Sequence, residues 1–170
     1  KETNALGVWK KYEYEGYLIK KITHSNGLVE TFTYDSMGNV LTESDSNGRK
    51  TTYVYDNLNR IIKKTDSYGK NESFKYDGNG NVIEYIDKLG GKTVSTYDKN
   101  NNLVGTSKGT LKTTKTYDNH NRIISETDEQ GLTVKYAYDS KGQKINETDA
   151  YGNKTIYEYD KVGHNIKTTD

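Results

Sequence analysis

The sequence predicts an all-β protein, an array of about seven to eight 21-residue β-hairpin repeats forming a curved or spiralling antiparallel β-ribbon. Three observations carry this expectation. A Tyr-Asp pair returns on a fixed ruler, each period holds two Asp-x-x-(Gly/Asn) signals, and the stretches between them are rich in Thr, Tyr, Val and Ile.

The Tyr-Asp pair begins at Tyr34, Tyr55, Tyr76, Tyr97, Tyr117, Tyr138 and Tyr159, with spacings of 21, 21, 21, 20, 21 and 21 residues. Tyr14-Glu15, 20 residues before the first, reads as a degenerate further copy. Residues 1–11 are therefore read as an N-terminal flank and 12–170 as the array, a slice of something longer.

Each period carries two turns. One opens at the Asp after the Tyr and closes at Gly38, Asn59, Gly80, Asn101, Asn121, Gly142 or Gly163, as in Asp35–Gly38. The other runs Asp45–Gly48, Asp66–Gly69, Asp87–Gly90, Asp128–Gly131 and Asp149–Gly152; the period one residue short has Gly109-Thr110 instead. Asp accepts from backbone N–H groups further along a turn, and Gly or Asn tolerates positive φ at the fourth position. Such turns close hairpins, whereas a Gly or Asn at every tenth residue or so defeats a helix. About fifteen short strands are expected.

The repeated Tyr and the residue two before it (Phe32, Tyr53, Phe74, Tyr136, Tyr157) fall on one face of a strand. Ser95 and Lys115 depart from that column. Seven residues after the Tyr stand Leu41, Ile62, Ile83, Val104, Ile124, Ile145 and Ile166, often preceded by a second aliphatic, such as Val40 or Ile61. Neighbours in a strand point to opposite faces, so apolar surface is expected on both; which aliphatic column joins the tyrosines depends on bulge register.

Composition narrows the function. The 170 residues include no Cys, which excludes disulfides and thiolate zinc sites, and the formal charge of +1 gives no pull towards nucleic acid. Mean hydropathy is -1.03, yet 16 Tyr argue against disorder. No apolar run is long enough to span a membrane as a helix, and Lys1-Glu2-Thr3 does not read as the start of a signal peptide.

The pattern Tyr-Asp-x-x-Gly-Asn/Arg with a following aliphatic pair, clearest in Tyr34–Leu41 and Tyr55–Ile62, resembles the RHS/YD-repeat family. That family includes bacterial polymorphic toxins, toxin-complex shells, wall-associated proteins and teneurins. The resemblance implies a strip of hairpins that spirals into a hollow shell around a toxin or effector domain, in a secreted or cell-surface bacterial protein. The expected partners are the remaining repeats and that enclosed domain. The family's self-cleaving protease segment contains prolines, and this chain has none. Arg60 and Arg122 match the family's Arg after the turn Gly; Asn39, Asn81, Asn102, Gln143 and His164 depart from it.

No catalytic, cofactor or metal residues are expected. His24, His120 and His164 fall at unrelated phases, and turn capping accounts for the aspartates. Asp77–Asn81 and Asp98–Asn102 mimic the start of an EF-hand loop, but Lys88 and Gly109 stand where its Glu belongs. Paired lysines such as Lys63-Lys64 alternate with acids elsewhere, a solvated surface. Tyr68 and Tyr151, on turn tips like Leu89, supply the alternative of a carbohydrate-binding or adhesion module. Open strand edges also admit edge-to-edge self-association.

Overall fold

The computed structural model describes residues 2–3 and 7–170, and shows seventeen strands and no helix among them. The chain divides into two compact units, Lys1–Lys75 with Tyr85–Gly91, and Tyr76–Glu84 with Lys92–Asp170. The first contains β1 (Glu2–Thr3), β2 (Trp9–Glu15), β3 (Leu18–His24), β4 (Val29–Tyr34), β5 (Val40–Asp45), β6 (Lys50–Tyr55), β7 (Ile61–Thr65) and most of β8 (Asn71–Tyr76). Strand β9 (Val82–Ile86) is divided between the two. The second contains β10 (Lys92–Tyr97), β11 (Leu103–Lys108), β12 (Leu111–Tyr117), β13 (Ile123–Thr127), β14 (Thr133–Tyr138), β15 (Lys144–Thr148), β16 (Lys154–Tyr159) and β17 (Asn165–Thr169). From β1 to β8, and again from β10 to β17, each strand pairs antiparallel with the next.

The strand total exceeds the expected fifteen because the degenerate first copy still folds as the hairpin β2–β3, and Glu2–Thr3 adds a short strand against it. β2 begins at Trp9, inside the segment read as a flank. Both periods that are one residue short contain a two-residue turn. Glu15 pairs with Leu18 across Gly16-Tyr17, and Lys108 with Leu111 across Gly109-Thr110. Gly16 and Gly109 both have φ of 61°, the positive value a tight hairpin needs at its first central residue.

A bulge recurs at the Tyr-bearing end of the regular hairpins. Thr33 faces Thr42 and Tyr34 faces Val40, so Leu41 is the extra residue; Tyr55/Ile61, Tyr97/Leu103, Tyr117/Ile123, Tyr138/Lys144 and Tyr159/Asn165 repeat the shift. This bulge decides which aliphatic column joins the tyrosines. Val40 lies opposite Tyr34, and alternation back from Thr42 returns Leu41 to the tyrosine face as well. The other face is mostly polar, although Val54, opposite Lys63, and Ile156, opposite Asn146, lie on it. Thr33, Thr42, Thr52 and Thr65 lie opposite one another in turn across β4 to β7, with Thr33 and Thr42 hydroxyls 2.6 Å apart. In the second unit Thr114, Thr127 and Thr133 do the same across β12 to β14.

No described residue is fully buried. Cohesion therefore rests on backbone ladders, half-covered cross-strand pairs and turns that hold their own geometry. Gly152 has φ of 91° and Gly78 does not have positive φ, while a Cβ at either would meet open space. Gly152→Ala should therefore lose about 1–2 kcal/mol in urea unfolding from backbone strain alone. Gly78→Ala should leave stability unchanged or raised by about 0.4–1 kcal/mol, and equal effects at the two sites would refute the backbone account.

Candidate functional site

The recurring side chains form a lattice rather than a pocket, and it begins at the turns. Asp35 donates its N–H to the Asn39 carbonyl at 2.9 Å, and its own carbonyl accepts from Gly38 N–H at 3.1 Å. Its Oδ1 accepts from Met37 and Asn39 N–H, both at 2.9 Å. The carboxylate thus stands where a backbone carbonyl would close the pair. Asp45, Asp66, Asp128 and Asp149 at the opposite ends of the strands make the same set, with Gly48, Gly69, Gly131 and Gly152 at positive φ. At Asp35, Asp77 and Asp98 the following Asn amide also donates to the carboxylate, at 2.9–3.0 Å, and that bond, with the backbone donors, holds each carboxyl below its usual range.

The tyrosines tie one period to the preceding one. Tyr34, Tyr55, Tyr97, Tyr117, Tyr138 and Tyr159 donate their hydroxyls to the carbonyls of Ile19, Val40, Val82, Leu103, Ile123 and Lys144, at 2.6–3.2 Å. Ile19, Val40, Leu103, Ile123 and Lys144 are the residues that face the previous Tyr across its bulge. Tyr76 occupies the same phase.

A second tie runs beside the first. The aromatic two residues earlier donates to an acid of the preceding hairpin: Tyr53 to Glu43 at 3.2 Å, Tyr136 to Glu126 at 2.5 Å and Tyr157 to Glu147 at 3.5 Å. Desolvation first, then the Glu126 bond, pushes the Tyr136 phenol well above its ordinary range. Lys144 reaches Glu147 at 2.6 Å and lies over the Tyr136 and Tyr157 rings, 5.5 and 4.8 Å from their centroids.

Residues 117–154 match the RHS repeat model, and residues 4–77 match the teneurin YD-shell model. In both stretches the chain is similar to RHS/YD-repeat proteins. Its fold is similar to part of a Photorhabdus luminescens Tc holotoxin pore structure, at 15% identity and a TM-score of 0.60, covering 98% of this chain and 12% of that one. The TcdB2–TccC3–TEV structure gives 14% identity, a TM-score of 0.64 and coverages of 98% and 12%. TcdB2–TccC3 without its hypervariable C-terminal region gives 13%, 0.58, 95% and 11%. The array thus spans about one-eighth of the first of these chains. No curated protein matches it.

Within the array, a further set of ties, like the tyrosine hydroxyl bonds, escaped the sequence reading. Asn39, Asn81 and Asn102 donate their amides to Oδ1 of Asn59, Asn101 and Asn121 in the next period, at 2.7–2.9 Å. Among the described residues, the acceptors are the three non-glycine residues with positive φ, 60–65°. The available signal was an Asn after one turn matched by an Asn closing the next. Where Arg replaces the donor, Arg60 reaches Asp56 through Nε and Nη2 at 2.8 and 2.7 Å, and Arg122 reaches Asp118 through Nε at 2.7 Å. Arg122 also reaches the Asp139 carbonyl at 3.2 Å and lies 4.6 Å over the Tyr138 ring.

Tyr68 and Tyr151, the candidate glycan contacts, are 88% and 81% exposed. His24 pairs with Glu30 at 2.7 Å and His164 with Asp160 at 3.1 Å, whereas His120 lies in a turn. Among the described residues no three His, Asp or Glu side chains gather to hold a metal ion. An open depression of about 490 Å³ lies between Glu15, Leu18, Lys20, Phe32 and Tyr34, with Glu15 and Lys20 paired at 2.8 Å.

Tyr138→Phe deletes one tie without opening a cavity and should lower stability by about 0.5–1.5 kcal/mol in urea unfolding. Tyr151→Phe should change nothing measurable; parity between the two would remove the special role of the hydroxyl ladder. A folded-state pKa below the unfolded 3.8 gives Asp35, Asp77 and Asp98 a stabilising effect that is present above that value. It is lost as pH falls through the lower folded values. The urea midpoint should therefore drop steadily below about pH 4, and a midpoint constant down to about pH 2 would contradict the capping role.

Proposed function

We propose that this chain is a non-catalytic wall segment of an RHS/YD-repeat shell, part of a secreted or surface bacterial protein, where it helps to enclose or present a toxin or effector domain. Residues 12–170 form the repeated wall and 1–11 its flank. One observation carries the reading: the hydroxyl of the repeated Tyr bonds the backbone of the preceding period in six copies, so the side chains that recur are those that join neighbours. Fold likeness to the Tc structures supports the same role.

The turn carboxylates accept from their own turns, which leaves them poor candidates for a general base or a cation site. The wall acts mechanically, by forming a continuous hydrogen-bonded barrier whose partners are further repeats and the domain behind it. Carbohydrate binding through Tyr68 and Tyr151 has only their exposure in its favour, so the wall reading stands first.

Limited proteolysis of the parent protein tests the proposal. The domain carried with the array should resist trypsin while the repeats are intact and be digested when supplied free. Equal digestion in the two forms would rule out enclosure.

A further inference from the structure

We infer that Asn47 is a site of spontaneous deamidation, selected from three sequence-equivalent candidates by the side-chain bonds that restrain the other two. The chain contains three Asn-Gly pairs, Asn26-Gly27, Asn47-Gly48 and Asn79-Gly80. Glycine matters because no side chain shields its amide nitrogen, the nucleophile that attacks the preceding Asn Cγ. All three asparagines are exposed at the third position of a hairpin turn. The backbone treats them alike: Gly27, Gly48 and Gly80 N–H donate to the carbonyl three residues back at 3.0, 3.1 and 3.2 Å.

Their side chains differ. Asn26 Oδ1 accepts from Leu28 N–H at 3.1 Å, which fixes the orientation of its amide. Asn79 Nδ2 donates to Asn101 Oδ1 at 2.9 Å, tying it to the next period. The Asn47 side-chain amide has no partner among the described residues; only its backbone N–H is engaged, by Asp45 Oδ1 at 2.9 Å. Asn47 is thus free to swing its Cγ onto the Gly48 nitrogen.

The reaction balances without a cofactor. The Gly48 nitrogen bonds to Asn47 Cγ and loses its proton, the Cγ–Nδ2 bond breaks, and ammonia leaves with that proton, giving a cyclic succinimide. Water opens the ring at either carbonyl, yielding aspartate or isoaspartate. Either product puts a negative charge beside Asp45, and isoaspartate also lengthens the main chain by one methylene inside a turn whose Gly48 holds φ of 83°. The closure of β5 onto β6 is the contact that weakens.

The test is peptide mapping by mass spectrometry of the folded chain held in warm, mildly alkaline buffer. The Asn47 peptide should convert about fivefold faster than the Asn79 peptide, the factor supplied by one net hydrogen bond. Asn101→Gly keeps a residue that accepts positive φ, removes the acceptor, and should raise the Asn79 rate to that of Asn47. In urea the three rates should converge. Conversion of Asn26 or Asn79 as fast as Asn47 in the folded chain overturns the inference. So does an Asn79 rate unmoved by Asn101→Gly, or a rate order that survives urea.

Discussion

A carboxylate standing in for a backbone carbonyl is the constraint on which the rest of both units depends. In each Asp-x-x-(Gly/Asn) turn the Asp N–H takes the opposite carbonyl, while its side chain takes the N–H that would otherwise be unpaired. With the fourth residue at positive φ, this closes the hairpin at a single loop length. Loop length sets register, and register decides that Tyr34 faces Val40 rather than Leu41. The bulge that results leaves the Val40 carbonyl where Tyr55 of the next period can bond it at 2.8 Å. The tyrosine ladder is thus a consequence of turn chemistry at a distance.

This arrangement makes few demands on hydrophobic burial. None of the described residues is fully buried, yet backbone pairing continues through successive hairpins, because each period needs only its neighbours. The array even absorbs a deleted residue. At Gly16-Tyr17 and Gly109-Thr110 the four-residue signal gives way to a two-residue turn with positive φ, and pairing continues on both sides. At the first of these the Tyr34 hydroxyl still reaches the Ile19 carbonyl at 2.6 Å. The ladder therefore tolerates loop variation provided that strand order and bulge are kept.

The same economy keeps the turn carboxylates engaged within their own turns. Asp77, which looks like the start of a cation loop, accepts from Asn79 and Asn81 N–H on one oxygen and from the Asn81 amide on the other. The Asn row that continues to Asn101 locks neighbouring turns together. Asn47 lies outside any such row, so the chemical weakness of an Asn-Gly pair is left unguarded there. An array that relies on side-chain ties for cohesion is most vulnerable where a tie is missing.

Local chemistry was legible in the sequence because it acts over four or five residues. Asp35 to Gly38 names its own turn, and seven Tyr-Asp pairs on one ruler establish a hairpin array before any coordinates are seen. The facing of Leu41 was not legible. Simple alternation opposes it to Val40, and only the register shift between Thr33 and Tyr34 returns both to one side. Nor were the ties between periods, since Tyr138 and Ile123 or Asn39 and Asn59 are 15 and 20 residues apart and meet only after intervening strands have paired. By itself the sequence determined the turns, the period and the β class, all encoded by near neighbours. The tertiary structure decided which aliphatic side chains join the tyrosine face and which side chains hold one period to the next, because a one-residue slip in strand pairing inverts every such contact.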